Sequence, residues 1–256
     1  MSVTRHFRCT ACGQCCYGLL PLTWKDAVAN VALFPLCFVW SAVRHNSQDY
    51  ARVAKLGFTL PLANRKELAV LMMPTAYLPK SFPCPALQDD NLCSIHRNKP
   101  ARCKTMPFYP CRDERYQAEL LTPRPGWACD TSPTTAPMVF KDRQIVCRDD
   151  FDREHQDLLE QVPLLRRYAD YMLKYSPWLA AALTQSASQV KAGQVITSLS
   201  SFLTATRNVD AAHIAQMQLP ILNGYGDKTA NDVQLAEFHQ NYRNWAKEMA
   251  YLAQCA

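Results

Sequence analysis

The sequence predicts an α+β fold, mainly helical, with a cysteine-rich metal-binding N-terminal half of short strands and a helical C-terminal half. Three observations carry that expectation. Eleven of the twelve cysteines precede residue 148. Over the same stretch prolines and cysteines punctuate short segments, and two stretches read as strand pairs. From Asp149 onward apolar residues recur at three- and four-residue intervals, the period of a helix.

In chain order, Thr23-Trp24-Lys25-Asp26 is a capping signal that opens a first helix. The most apolar run, AVANVALFPLCFVWSAV at 27–43, is interrupted by Asn30 and Pro35 and falls short of the roughly 20 residues a spanning helix needs. It reads as a buried core segment, and no membrane insertion is expected. GFTLPL and ELAVLMM read as two strands about a turn at 63–66. Asn98-Lys99-Pro100 places an N-cap ahead of a proline and predicts a short helix carrying Arg102 and Cys103. MVFKDRQIV at 138–146 predicts a second hairpin. Beyond it Leu158, Leu159, Val162, Leu165, Tyr168, Ala169 and Met172 mark one face of a helix. Ser176-Pro177 restarts a helix, and further helices are expected at about 195–206, 211–222 and 230–254. The chain thus divides into a cysteine-cluster region, 1–148, and a helical region, 149–256, packed on it, as two layers of one domain or as two units.

With 256 residues, 48% of them hydrophobic, the chain can bury a core without covalent staples. The start, MSVTRHFRC, has no apolar stretch of the kind that exports a chain. The thiols are therefore expected to be reduced and the protein cytoplasmic. A net charge of +6 without a run of like charges gives no support to a nucleic-acid partner. There are seven glycines and neither a G-x-G-x-x-G nor a P-loop, which excludes the usual dinucleotide, nucleotide and Rossmann methyltransferase sites.

The chemistry lies in FRCTACGQCC. Cys9, Cys12 and Cys15 at two-residue spacing let three thiolates converge on one point, and metal is the economical explanation. Cys16 follows directly. Adjacent side chains are expected to diverge, so Cys15 and Cys16 should serve different centres. Cys84, Cys93, Cys103 and Cys111 bring the thiols to eight, enough for two four-sulfur sites. Cys129, Cys147 and His96 are further candidates, the two cysteines standing between ligand and core filler. Cys37, inside an apolar run, and Cys255 are expected to be bystanders. No second Cys-x2-Cys pair is present, against a ribbon or treble-clef zinc module, and the Cys-x3-Cys-x2-Cys of radical enzymes fails because Leu19 follows Cys12 and Cys16. A [4Fe–4S] cluster is favoured over zinc, because Cys-x2-Cys-x2-Cys is the run that wraps three irons of a cubane with a remote cysteine completing it.

The basic run His96-Arg97-x-Lys99-x2-Arg102-x-Lys104 is expected to offset the negative charge of thiolate-bound metal. Asp149, Asp150 and Asp152 stand at a helix start, where acids are favoured by the dipole. Asp152 and His155 share a helical face and form a weaker candidate iron pair. Phe238, Tyr242 and Trp245 at helical spacing read as packing.

Taken together, Cys9-x2-Cys12-Gly13-x-Cys15-Cys16, Leu22-Thr23-x2-Asp26, Cys84-Pro85-x-Leu87, Cys93-x-Ile95-His96 and Lys99-Pro100-x-Arg102-Cys103 followed by Pro107 resemble the CxxCxxCC cysteine-cluster family of zinc- or iron-chelating domains. The likeness runs in order over about residues 7 to 111. His96 and Lys99 stand where the family usually has tyrosine and arginine. Flagellin lysine N-methylases share this cysteine pattern. That likeness implies an iron–sulfur cluster used with S-adenosylmethionine on a protein or peptide substrate. The other implied readings are a zinc-stabilised interaction module and a metal carrier or sensor.

Overall fold

The computed structural model describes residues 4–62, 66–188, 193–207 and 210–254. The chain begins with β1 (Thr4–His6), β2 (Leu20–Pro21) and α1 (Trp24–Ala29). The capping signal does its work, since the Thr23 hydroxyl accepts the Asp26 N–H at 3.1 Å. Next come β3 (Leu36–Arg44), α2 (Tyr50–Leu56), β4 (Phe58–Pro61) and β5 (Glu67–Ala76), then α3 (Ala101–Thr105). A 3-10 turn at His96–Asn98 precedes α3 and another at Glu114–Leu121 follows it. The remainder runs β6 (Met138–Lys141), β7 (Gln144–Ile145), α4 (Asp149–Tyr175), α5 (Trp178–Ser188), β8 (Gln194–Ser198), α6 (Leu199–Ala205), α7 (Ala211–Thr229) and α8 (Ala236–Gln254).

The main sheet is antiparallel and is built on β3 and β5, paired from Leu36↔Ala76 to Arg44↔Leu68. On the far edge of β5 lie β2 and β4, and on the far edge of β3 lies β8. Both faces of β5 are covered, which explains why ELAVLMM is a continuous apolar run and not an alternating one. Leu68, Val70 and Met72 enter the main core with Phe38, Leu165, Tyr168 and Phe202. Ala69, Leu71 and Met73 enter a second cluster with Val53, Leu56 and Leu158. A small sheet, β1–β6–β7, binds the N-terminus to the predicted second hairpin, whose turn residues Asp142 and Arg143 both have positive φ.

Helix outweighs strand, 48% to 19%, so the α+β, mainly helical reading holds. The division into a stranded and a helical half does not hold fully. β3 and β5, at nine and ten residues, are long, and β8 comes from the C-terminal half. The helix expected at 195–206 is strand up to Ser198, because Val195, Ile196 and Thr197 pair with β3 at Cys37–Ser41 before α6 begins. Asn98 is not the cap of α3. Pro100 holds that position, and the Asp26 carboxylate accepts the Ala101 N–H at 3.0 Å. The turn at 63–65 and Cys255 lie outside the described residues.

Fully buried Gln218 fastens α7 to the entry of β3. Its Oε1 accepts the Leu36 N–H at 2.9 Å, and its Nε2 donates to the carbonyls of Phe34, at 2.8 Å, and Val31. Gln218→Leu should lower unfolding free energy by about 3 kcal/mol, since it strands buried backbone groups. Urea denaturation checks this, and a loss below about 1 kcal/mol would mean that water or a rearranged backbone satisfies those groups.

Candidate metal centre

Three segments carry the cysteines, and backbone contacts hold them together. The line of β1 continues into an antiparallel bridge, with Arg8 N–H donating to Asp130 O at 2.8 Å and Asp130 N–H to Arg8 O at 3.0 Å. The Thr10 hydroxyl donates to Ala128 O at 2.9 Å. These contacts lay Cys9 alongside Cys129. The loop from Cys9 to Cys16 is tightened by positive φ at Ala11 and Gly13. Gly13 supplies the positive φ that side chains disfavour, and a Cβ there would stand 2.8 Å from the Asn91 Oδ1 of the segment 84–93. That segment is joined directly by the Cys84 N–H donating to Cys16 O at 2.6 Å, and it folds back through a Leu87↔Cys93 bridge.

Cys103 comes from α3, which is docked from two sides. The Asp26 carboxylate takes both the Thr23 hydroxyl, at 3.0 Å, and the first N–H of α3. From the other side buried Arg102 pairs with buried Glu154 of α4 at 3.3 Å, donates to Phe108 O, and lies 5.1 Å from the Tyr109 ring.

Sulfur electrostatics follow from these loops. The N–H of Ala11 donates to Cys9 Sγ at 3.4 Å. Those of Gln14 and Ala128 donate to Cys12 and hold its thiol below the ordinary range. Burial pushes the Cys84 thiol up, while the N–H of Ala86, two residues on, works against it. Cys9, Cys12 and Cys84 therefore share one device, a turn that aims the N–H of residue i+2 at the sulfur of residue i, and such donors favour thiolate. The Cys15 thiol donates to Cys16, which raises Cys15 and lowers Cys16. Burial and then the neighbouring Cys84 push Cys103 up to about 12, with Arg102 opposing. Lys99 faces Cys15, so two cations of the basic run stand by the thiols.

The thiols act on one another across the loop: Cys16 feels Cys84, Cys93 and Cys103, Cys129 feels Cys12, Cys9 and Cys15, and Cys15 acts on Cys84 and Cys103 as well. The Cys15–Cys16 pair ends a tight turn, with the Cys16 N–H donating to Gly13 O at 2.9 Å, and the interaction of the two thiols runs against their expected divergence. Among the described residues no group of three or more His, Cys, Asp or Glu side chains is placed so as to hold a metal ion. The donor set still fits a thiophilic ion, with eight gathered thiols, N–H donors on three of them and cations nearby.

Cys111 stands apart from this gathering. It is buried in the second cluster, takes a hydrogen bond from Tyr109, and is surrounded by Glu154, Arg102 and Arg52. His96 and Cys147 are both exposed, the latter beside a separate cleft with Lys104 and Asp150. Cys37 is fully buried, as expected. Asp152 is taken by Arg148 at 2.9 Å, and His155 stays half-buried on α4, with burial lowering its pKa. Tyr242 and Trp245 are core residues around Tyr77.

Residues 8–130 match the family model CxxCxxCC, described as a putative zinc- or iron-chelating domain. No curated protein and no solved structure matches the chain.

In protein stripped of metal, Cys12 should alkylate faster than Cys103 at neutral pH, because its lowered pKa leaves more thiolate while Cys103 is raised. Peptide mass spectrometry after a brief iodoacetamide pulse reads the order, and equal labelling would contradict the N–H arrangement at Cys12.

Proposed function

We propose, from the premise that residues 8–130 of this chain form a CxxCxxCC domain, that the protein binds two metal centres through eight thiolates. One is assigned to Cys9, Cys12, Cys15 and Cys129, the other to Cys16, Cys84, Cys93 and Cys103. The observation that carries this reading is the backbone pairing that brings two cysteine-bearing segments to the Cys9–Cys16 loop, Asp130 to Arg8 at its start and Cys84 to Cys16 at its end. Cys111 is left out as a small core residue. The mutual influence of the Cys15 and Cys16 thiols supports neighbouring centres whose charges are coupled.

Iron–sulfur clusters suit the Cys-x2-Cys-x2-Cys run, and they would supply one-electron chemistry or a Lewis-acidic iron. Zinc takes the same thiolates, so iron content is the first thing to measure. The i+2 N–H donors serve either metal by stabilising thiolate. Lys99 and Arg102 offset the charge that four thiolates bring to a divalent centre.

Reachability separates a structural staple from a carrier or a reactive centre, since a reactive centre needs an exchangeable position. Cys9 and Cys15 are exposed, and Cys84 lines a cavity. This supports a centre that can exchange or react. A modifying activity of the flagellin-methylase kind is compatible with that access.

Anaerobically purified protein should contain iron and acid-labile sulfide and absorb broadly near about 400 nm. A colourless protein with stoichiometric zinc would replace iron–sulfur by zinc in the same sites. Cys129→Ser and Cys16→Ser should each remove about half of the metal, as expected if each loses one ligand of a different four-sulfur site. Cys111→Ser should keep all of it while losing thermal stability. If Cys129→Ser retains the full complement and Cys111→Ser does not, the assignment of the two centres is wrong.

A further inference from the structure

A cavity of about 470 Å³ opens beside the thiol cluster. That lies within the range of small-molecule clefts, roughly 300–1,000 Å³. Its walls come from two parts of the chain. Phe82, Pro83, Pro85 and Leu87 flank Cys84 in the chelating domain, and Tyr225 and Lys228 come from α7, beyond the region that matches the family. The apolar wall is rigid, with two proline rings and a Phe82–Tyr225 ring pair at 6.3 Å. Tyr225 is braced from behind by Tyr242 at 5.5 Å. Gly226 lets the Arg243 side chain of α8 close on α7, where a Cβ would meet it at 3.1 Å.

Two polar groups in this wall are uncommitted. Lys228 forms no ion pair among the described residues, and its ammonium sits 5.0 Å from the Tyr225 ring centroid. The neighbouring acid, Asp227, is already paired with Arg243 at 2.6 Å. The Tyr225 hydroxyl makes no hydrogen bond to a described residue, although the side chain is 7% exposed. A free cation and a free hydroxyl donor on one side, with an apolar wall on the other, are complementary to an anion carried on an apolar body.

We infer that this cavity binds a small carboxylate with an apolar body, the carboxylate held by Lys228 and Tyr225 and the body lying against Phe82, Pro83, Pro85 and Leu87. The ligand then rests against Cys84, so α7 decides what reaches the thiol cluster. The binding itself does not depend on which metal the cluster holds. The carboxylate belongs to a free acid or to a peptide C-terminus, two sources that share this chemistry.

The test is isothermal titration of the full-length protein as isolated with 3-phenylpropanoate, its neutral amide, and Gly-Gly-Phe. The carboxylate should bind at least about tenfold more tightly than the amide, the margin of one charge-assisted hydrogen bond. Lys228→Met should erase that preference, and Tyr225→Phe should weaken carboxylate binding by about threefold to tenfold. Both variants should keep the wild-type melting temperature and metal content. The tighter of the free acid and the peptide assigns the source. Equal binding of acid and amide, or a preference that survives Lys228→Met, overturns the proposal, as does binding of neither carboxylate below about 10 mM. Loss of metal with carboxylate binding intact would count against the metal reading and not against the cavity.

Discussion

The buried ion pair between Arg102 and Glu154 is the joint on which the cysteine region hangs. Arg102 is 4% exposed and Glu154 1%, and burial raises the Glu154 carboxyl even with the guanidinium beside it. Such a pair adds little net stability, because desolvation cancels much of the attraction. Its geometry is demanding, however, and either partner alone would be a buried uncompensated charge. The segment from Cys84 to Cys103 buries few apolar side chains, Ala86 being the only hydrophobic residue of the stretch in the core. Its position is therefore set by polar contacts, with Arg102 reaching α4 and Asp26 capping α3 from the opposite side. The cysteine segments inherit their positions from α1 and α4, to which these contacts tie them.

This arrangement gives physical meaning to motif residues that are not sulfur. Leu22, Thr23 and Asp26 sit far in sequence from Lys99-Pro100-x-Arg102-Cys103, yet the Asp26 carboxylate binds the backbone of the second segment. Gly13 is favoured by the positive φ of the loop that meets Asn91. The conformational demands of two loops meeting face to face thus explain residues that ligand chemistry alone would leave without a role.

Local signals in the sequence carried far. The period of α4, the paired runs of β4 and β5, the 138–146 hairpin and the Thr23 cap all depend on neighbours within a few residues. β8 was hidden because Val195, Ile196 and Thr197 form a short apolar stretch, too short for a period, whose partner lies more than 150 residues earlier. The same limit separates Cys111 from Cys129. Cys111 stands among other cysteines in sequence, but its side chain turns into the core behind β5. Cys129 looks isolated, and the pairing of residue 8 with residue 130, helped by the Thr10–Ala128 contact, carries it to the Cys9–Cys12 loop. Cysteine density marked the region, whereas long-range pairing decides which segments meet there.

That pairing also fixes an order of events at the ribosome. Every thiol of the proposed Cys16, Cys84, Cys93 and Cys103 centre has been synthesised by residue 103, while in the proposed first centre Cys9, Cys12 and Cys15 wait for a partner at residue 129. At roughly 5–20 residues per second the wait lasts on the order of ten seconds. Throughout it the nascent chain presents adjacent nucleophiles with nothing yet to close over them. On the proposed assignment, assembly of this protein is a race between metal delivery and oxidation that starts before the last helices exist.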